Sequence, residues 1–167
     1  MFPSFGPGHV GIRVNLEEGL KLAQRHSFKG LDFDMNEAFQ ISQDKGVGTV
    51  RDMFKRCELV PGTWNIPFHP MGEEDLWKKG LEKLKAVAEF AAKIEALRTA
   101  MWIIPGSNQL AFQENFDAHV RRYAPIAAVL KSQGIRIGLE FIGPLNSRKN
   151  NKFAFIYTLP GMLELCS

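Results

Sequence analysis

Cysteine, tyrosine and histidine are scarce in this chain, at two, two and four residues out of 167, and no stretch is apolar for long enough to span a bilayer. Cys57 and Cys166 have no metal-ligand spacing and fall in helix-like patterns, so no disulfide framework is expected, and reduced thiols suit a cytoplasmic protein. The opening run Met1-Phe2-Pro3-Ser4-Phe5-Gly6-Pro7 has neither a basic n-region nor a long apolar core, so it does not read as a secretory leader. Charge of one sign is never concentrated. The net charge of +3 is spread without any block of like residues and implies neither nucleic acid nor a membrane as partner. Gly6-Pro7-Gly8 precedes a strand pattern instead of linking a strand to a helix, which excludes a phosphate-binding loop. What remains, 45% hydrophobic and 23% charged residues, is the composition of one globular domain over residues 1–167.

The chain alternates between two periods. Residues 9–14 alternate as a strand does, with Val10, Ile12 and Val14 on one side and His9, Gly11 and Arg13 on the other. Asn15 is a candidate N-cap for a helix whose stripe of Leu16, Gly19, Leu20, Leu22 and Ala23 ends near His26. Gly30 to Asn36 reads as a second strand, Leu31, Phe33 and Met35 apolar, Asp32, Asp34 and Asn36 polar. Gly46 and Gly48 mark a loop leading to a helix that ends near Cys57, and Leu59 to Ile66 a third strand interrupted by Pro61 and Gly62. The strongest helical pattern spans Glu73 to Ile94. Thr99 to Ile104 is then a fourth strand, Asp117 to Ser132 a helix, Ile135 to Ile142 a fifth strand, and Leu159 to Cys166 a last helix.

This order predicts an α/β fold with parallel strands joined by helical crossovers. In an open doubly wound sheet the central strands are apolar on both faces. Here the first, second and fifth strands carry polar residues at alternate positions, which suits a (β/α)8 TIM barrel whose inward positions meet a ligand at the C-terminal rim. A complete barrel needs about 250 residues and eight strands. About five strands are present before Met162-Leu163-Glu164-Leu165-Cys166-Ser167, so a partial barrel is expected, one that looks cut short.

Within the fifth strand, Ile135, Ile137, Leu139 and Phe141 share one face and Arg136, Gly138, Glu140 and Ile142 the other. Gly143-Pro144 ends the strand and leaves Glu140 near its C-terminal end, a position for a catalytic or ligand-binding carboxylate. An ion pair with Arg136, or a solvated strand end, is the alternative.

Gly-Leu-Asp-Phe-Asp at 30–34, Ile103-Ile104-Pro105-Gly106-Ser107 and, above all, Gly134 to Pro144 together resemble the sugar phosphate isomerase/epimerase family, the xylose-isomerase-like TIM barrels that also include endonuclease IV. The likeness covers nearly the whole chain, as the N-terminal five-eighths of such a protein. It implies one divalent metal (Mn, Mg, Co or Zn) held by two Glu, one Asp and one His, with Glu140 matching the first ligand and the rest expected from later strands, so that this sequence by itself is not expected to complete the metal site. It also implies proton transfer next to a sugar carbonyl through an enediolate, with Glu140 as both ligand and base.

Arg13, Asp34 and Asn36 are placed near the inner rim, where they either bind sugar hydroxyls or phosphate or, for Arg13 and Asp34, pair internally. His69, between prolines beyond the third strand, is a rim-loop contact or a plain loop histidine. Trp64 and Trp102, with Phe68, either form an apolar floor for a sugar ring or belong to the core. Arg148, Lys149 and Lys152, with Asn146, Asn150 and Asn151, make a basic loop after Glu140 that either holds an anionic substrate or is solvated. His9 is placed at the opposite end from the site, and His26 and His119 on helices. So few rim histidines argue against an endonuclease-IV-like zinc phosphodiesterase. Unpaired strand edges make a non-catalytic, self-associating homo-oligomer the other alternative to a sugar enzyme.

Overall fold

The computed structural model describes residues 2–167. Helix α1, Leu16–Arg25, begins where the sequence places it: the Asn15 side chain accepts from the Glu18 N–H (2.9 Å) and the Glu18 carboxylate accepts from the Asn15 N–H (3.2 Å). Helices α4 (Glu74–Lys93) and α6 (Leu159–Cys166) also match their expected spans closely. Helix α5, Phe112–Ser132, starts five residues before the expected Asp117, where the Glu114 side chain accepts from the Ala111 N–H.

The N-terminal third departs from expectation. The first strand, β1, is Ser4–Phe5, and residues 9–14 form no strand. Pro7–Val10 is a 3-10 turn closed by Gly11 at φ +75°, with Val10 and Ile12 exposed on either side of that glycine. Their alternation is an accident of a rim loop. The second strand, β2, stops at Gly30–Leu31, because Asp34 caps a further helix, α2 (Met35–Lys45), whose Met35, Ala38 and Ser42 are buried at helical spacing. Gly46 ends α2 and α3 follows at Val47–Arg56. The third strand narrows to β3, Val60–Pro61.

β1, β2 and β3 pair in parallel with Ser4, Gly30 and Val60 in register. Trp64 bridges in parallel to Thr99 of β4 (Arg98–Ile103), and β4 pairs in parallel along its whole length with β6 (Arg136–Phe141). Five parallel strands thus lie side by side in sequence order with helices between them, an arc of a (β/α)8 barrel. β5 (Gly106–Ser107) and β7 (Phe153–Ala154) form a small antiparallel pair at the rim. The main core lies between strands and helices, from Leu16, Leu20 and Leu31 through Trp64 to Leu84, Val87, Ile126 and Leu130. Among the described residues no helix is long and apolar enough to cross a membrane.

A second cluster, Ile103, Tyr123, Phe155, Ile156 and Met162, joins β4 to α5 and α6. Burial in it pushes the Tyr123 phenol up to about 12. His119 stacks on Tyr123 and meets the Phe155 ring at a tilt, and its Nδ1 lies 2.8 Å from the Asn115 carbonyl. Burial holds the imidazole below its ordinary 6.5, a downward shift that the bond to Asn115 only partly offsets. The unfolded chain therefore takes up a proton that the folded one resists, so stability is full above 6.5 and falls as pH drops from there toward the folded value. Urea midpoints measured between about pH 7 and about pH 5 should fall, and less steeply in His119→Phe. Equal slopes for the two proteins would show that His119 titrates normally.

Candidate functional site

The pleat of β6 divides its side chains as the sequence predicts. Ile137, Leu139 and Phe141 are half-buried against the apolar clusters, while Arg136, Gly138 and Glu140 are exposed on the face turned away from the helices. Register adds what the sequence does not contain: Arg98, Ala100 and Trp102 of β4 stand directly opposite those three residues. Along this face the layers run from an arginine pair, through the small pair Ala100 and Gly138, to Trp102 and Glu140 at the C-terminal end. Gly138 borders open space, since a Cβ there would meet only the Thr99 carbonyl at 3.8 Å. The Trp102 indole N–H donates to Glu140 Oε2 at 2.9 Å. Among the described residues Glu140 forms no ion pair with Arg136 or any other cation.

The remaining expected site residues scatter. Trp64 is 1% exposed, its indole N–H bonded to the Ala96 carbonyl at 2.9 Å, so it is core and not a floor for a sugar. Arg13 is exposed in the coil before α1, because the strand that would have turned it inward does not form. Asp34 is exposed at the start of α2 and accepts from the Asn36 N–H, so no Arg13–Asp34 pair exists. His69 is an exposed loop residue whose carbonyl accepts from the Gly72 N–H, and among the described residues no hydrogen bond joins its ring to Glu140.

The basic loop is better anchored than expected. Arg148 donates to the Gly143 carbonyl and lies 3.9 Å over the Tyr157 ring, and the Lys152 N–H donates to Asn108 Oδ1 at 2.8 Å. With the β5–β7 pairing, these contacts tie the loop after β6 to the loop after β4, beside Glu140.

Asp32 is the residue that sequence reasoning undervalued. Its Oδ1 accepts from Ser4 Oγ and from the Thr63 N–H, both at 2.7 Å, and so ties the C-terminal ends of β1, β2 and β3 together. His9 belongs to this same end and not the opposite one: a Cβ on Gly6 would lie 2.7 Å from His9 Nδ1 and 3.3 Å from Asp32 Oδ2. The signal available was the position of Asp32 one residue beyond β2, on the polar side of the pleat.

No protein-family model matches the chain, and no curated protein matches it. Solved structures do. A xylose isomerase domain protein from Alicyclobacillus acidocaldarius subsp. acidocaldarius superposes with a TM-score of 0.87 at 22% identity, over 99% of this chain and 58% of the other. The fold is that of the xylose-isomerase-like barrels. D-psicose 3-epimerase with D-tagatose from Clostridium cellulolyticum H10 matches at a TM-score of 0.75 and 11% identity, over 99% of this chain and 59% of that one. The IolI protein with a bound zinc atom matches at 0.68 and 16% identity, over 86% of this chain and 52% of its own. The chain thus spans between about half and three-fifths of the length of the chains it resembles.

A four-ligand metal centre does not fit the residues of this arc. Among the described residues no three His, Cys, Asp or Glu side chains cluster closely enough to share an ion, and Glu140 stands alone as a carboxylate at the end of β6.

Proposed function

We propose that this arc forms one wall of a sugar or sugar phosphate isomerase or epimerase, in which Glu140 takes the carbon-bound proton next to a carbonyl. The observation that carries the reading is an exposed, oriented carboxylate at the C-terminal end of a parallel barrel strand. Such a group is placed to accept a proton from carbon while the bonding pair moves toward the carbonyl oxygen, giving an enediolate. Return of the proton to the neighbouring carbon isomerises the sugar, and return to the opposite face of the same carbon epimerises it. The second acid, and the other ligands that a Mn, Mg, Co or Zn ion would need, would have to come from outside these five strands. A cytoplasmic enzyme is the reading that its two free thiols, Cys57 and Cys166, support.

The test is solvent exchange in the completed barrel. In deuterium oxide with ketohexoses and their phosphates, deuterium should enter the carbon beside the carbonyl, and Glu140→Gln should slow that entry about a hundredfold or more. Equal rates in the two proteins would end the proposal.

A second reading, a non-catalytic arc that pairs with another copy, is favoured by two features. Trp102 is 62% exposed, and β6 is paired along one side only among the described residues. Light scattering decides it: a symmetric dimer supports self-association, and a stable monomer counts against it.

A further inference from the structure

An indole on an open sheet face calls for a reason, and burial is not it. Trp64, in an isolated parallel bridge, and Trp102, in β4, both have bonded indole N–H groups, yet one is 1% exposed and bonds a backbone carbonyl while the other is 62% exposed and bonds a carboxylate. Trp102 and Glu140 stand directly opposite in the parallel pairing of β4 and β6, so the two side chains rise from the same layer of the same face. The layer beneath is Ala100 and Gly138, too small to touch the carboxylate. Among the described residues, Trp102 is therefore the side chain that holds Glu140.

We infer that Trp102 is a positioning residue for Glu140: its indole N–H fixes Oε2 and leaves Oε1 as the oxygen presented to a reactant. An unheld glutamate on an open face samples several rotamers, and selecting one removes conformational freedom that a reaction would otherwise have to restrain. The charge-assisted N–H to carboxylate bond supplies that selection. Indole suits the task because it donates one hydrogen bond and accepts none, so it orients the carboxylate without competing for the proton that Glu140 would carry. The inference takes from the proposed function only the identity of the reactant, and the hydrogen bond itself is independent of it.

Nitrogen-15 spectra of the chain test this directly. Three indole N–H signals are expected, from Trp64, Trp77 and Trp102, and the one lost in Trp102→Phe identifies Trp102. In Glu140→Gln that signal should move by several line widths and exchange faster with solvent, while the other two stay in place. An unmoved Trp102 signal overturns the inference. For positioning itself, the side-chain couplings of Glu140 should report one dominant rotamer in the parent chain and averaging in Trp102→Phe, and a single rotamer persisting in that variant also overturns it. Both sites are exposed, so neither substitution removes core packing, and an unchanged far-ultraviolet circular dichroism spectrum verifies the fold. Deuterium entry into a sugar fails separately, because it tests Glu140 as a base whereas these spectra test what holds it.

Discussion

Trp64→Ala is expected to destabilise the protein by about 3–5 kcal/mol, the range for removing a large buried aromatic side chain. Three connections meet at this residue. Its ring fills the main core, its indole N–H satisfies the Ala96 carbonyl, and its backbone joins the β1–β3 strands to β4 through the Arg98 carbonyl and the Ala100 N–H. Thr99 Oγ1 adds a bond to the Trp64 carbonyl at 2.6 Å. The substitution leaves the backbone bonds available but opens a cavity where the two parts of the arc meet, and it strands the Ala96 acceptor. Trp64→Phe keeps most of the volume and should cost less, about 1–3 kcal/mol from the unsatisfied carbonyl and the smaller ring. Urea denaturation measures both. If Trp64→Ala lies within about 1 kcal/mol of the parent, the residue is not in the core and its assignment as a sugar-stacking floor returns.

The second large effect is expected at Gly62, where alanine should cost about 3 kcal/mol or more. A Cβ there would run into Asp32 Oδ1 and Ser4 Oγ and would lie 2.8 Å from the Leu31 carbonyl. The Ser4 hydroxyl could turn aside, but the Leu31 oxygen is the backbone acceptor for the Gly62 N–H, and Asp32 Oδ1 holds the Ser4 hydroxyl and the Thr63 N–H. Moving any of them loosens the C-terminal ends of β1, β2 and β3 together. Gly138→Ala is the control, a glycine on the same arc with open space around it, expected to change stability by no more than about 0.5 kcal/mol. Thermal or urea unfolding of the two variants should separate clearly. A Gly62→Ala protein as stable as Gly138→Ala would mean that the Asp32 bridge does not close the rim.

Local grammar was enough for much of this molecule. The capping box at Asn15, the stripe of α4 and the pleat of β6 act over a few residues, so the sequence by itself determined where those helices run and that Glu140 and Leu139 face opposite ways. Alternation with helices likewise implied parallel strands in order, and the arc bears that out. Local grammar was ambiguous where one residue satisfies two patterns. Asp34 continues the polar side of a strand and also caps a helix, and the apolar spacing after it is helical, so the helix forms. Residues 9–14 alternate in hydrophobicity, but no neighbouring strand takes up their backbone groups, and Gly11 turns the chain instead.

Side-chain partners were decided only in three dimensions. Trp64 and Trp102 are alike in sequence, each a tryptophan in a strand pattern. One is packed between sheet and helices and the other is opposite Glu140, because a pleat dictates alternation but not which face is covered, nor which residue of another strand comes into register. Those two choices depend on contacts across tens of residues, and only the assembled arc contains them.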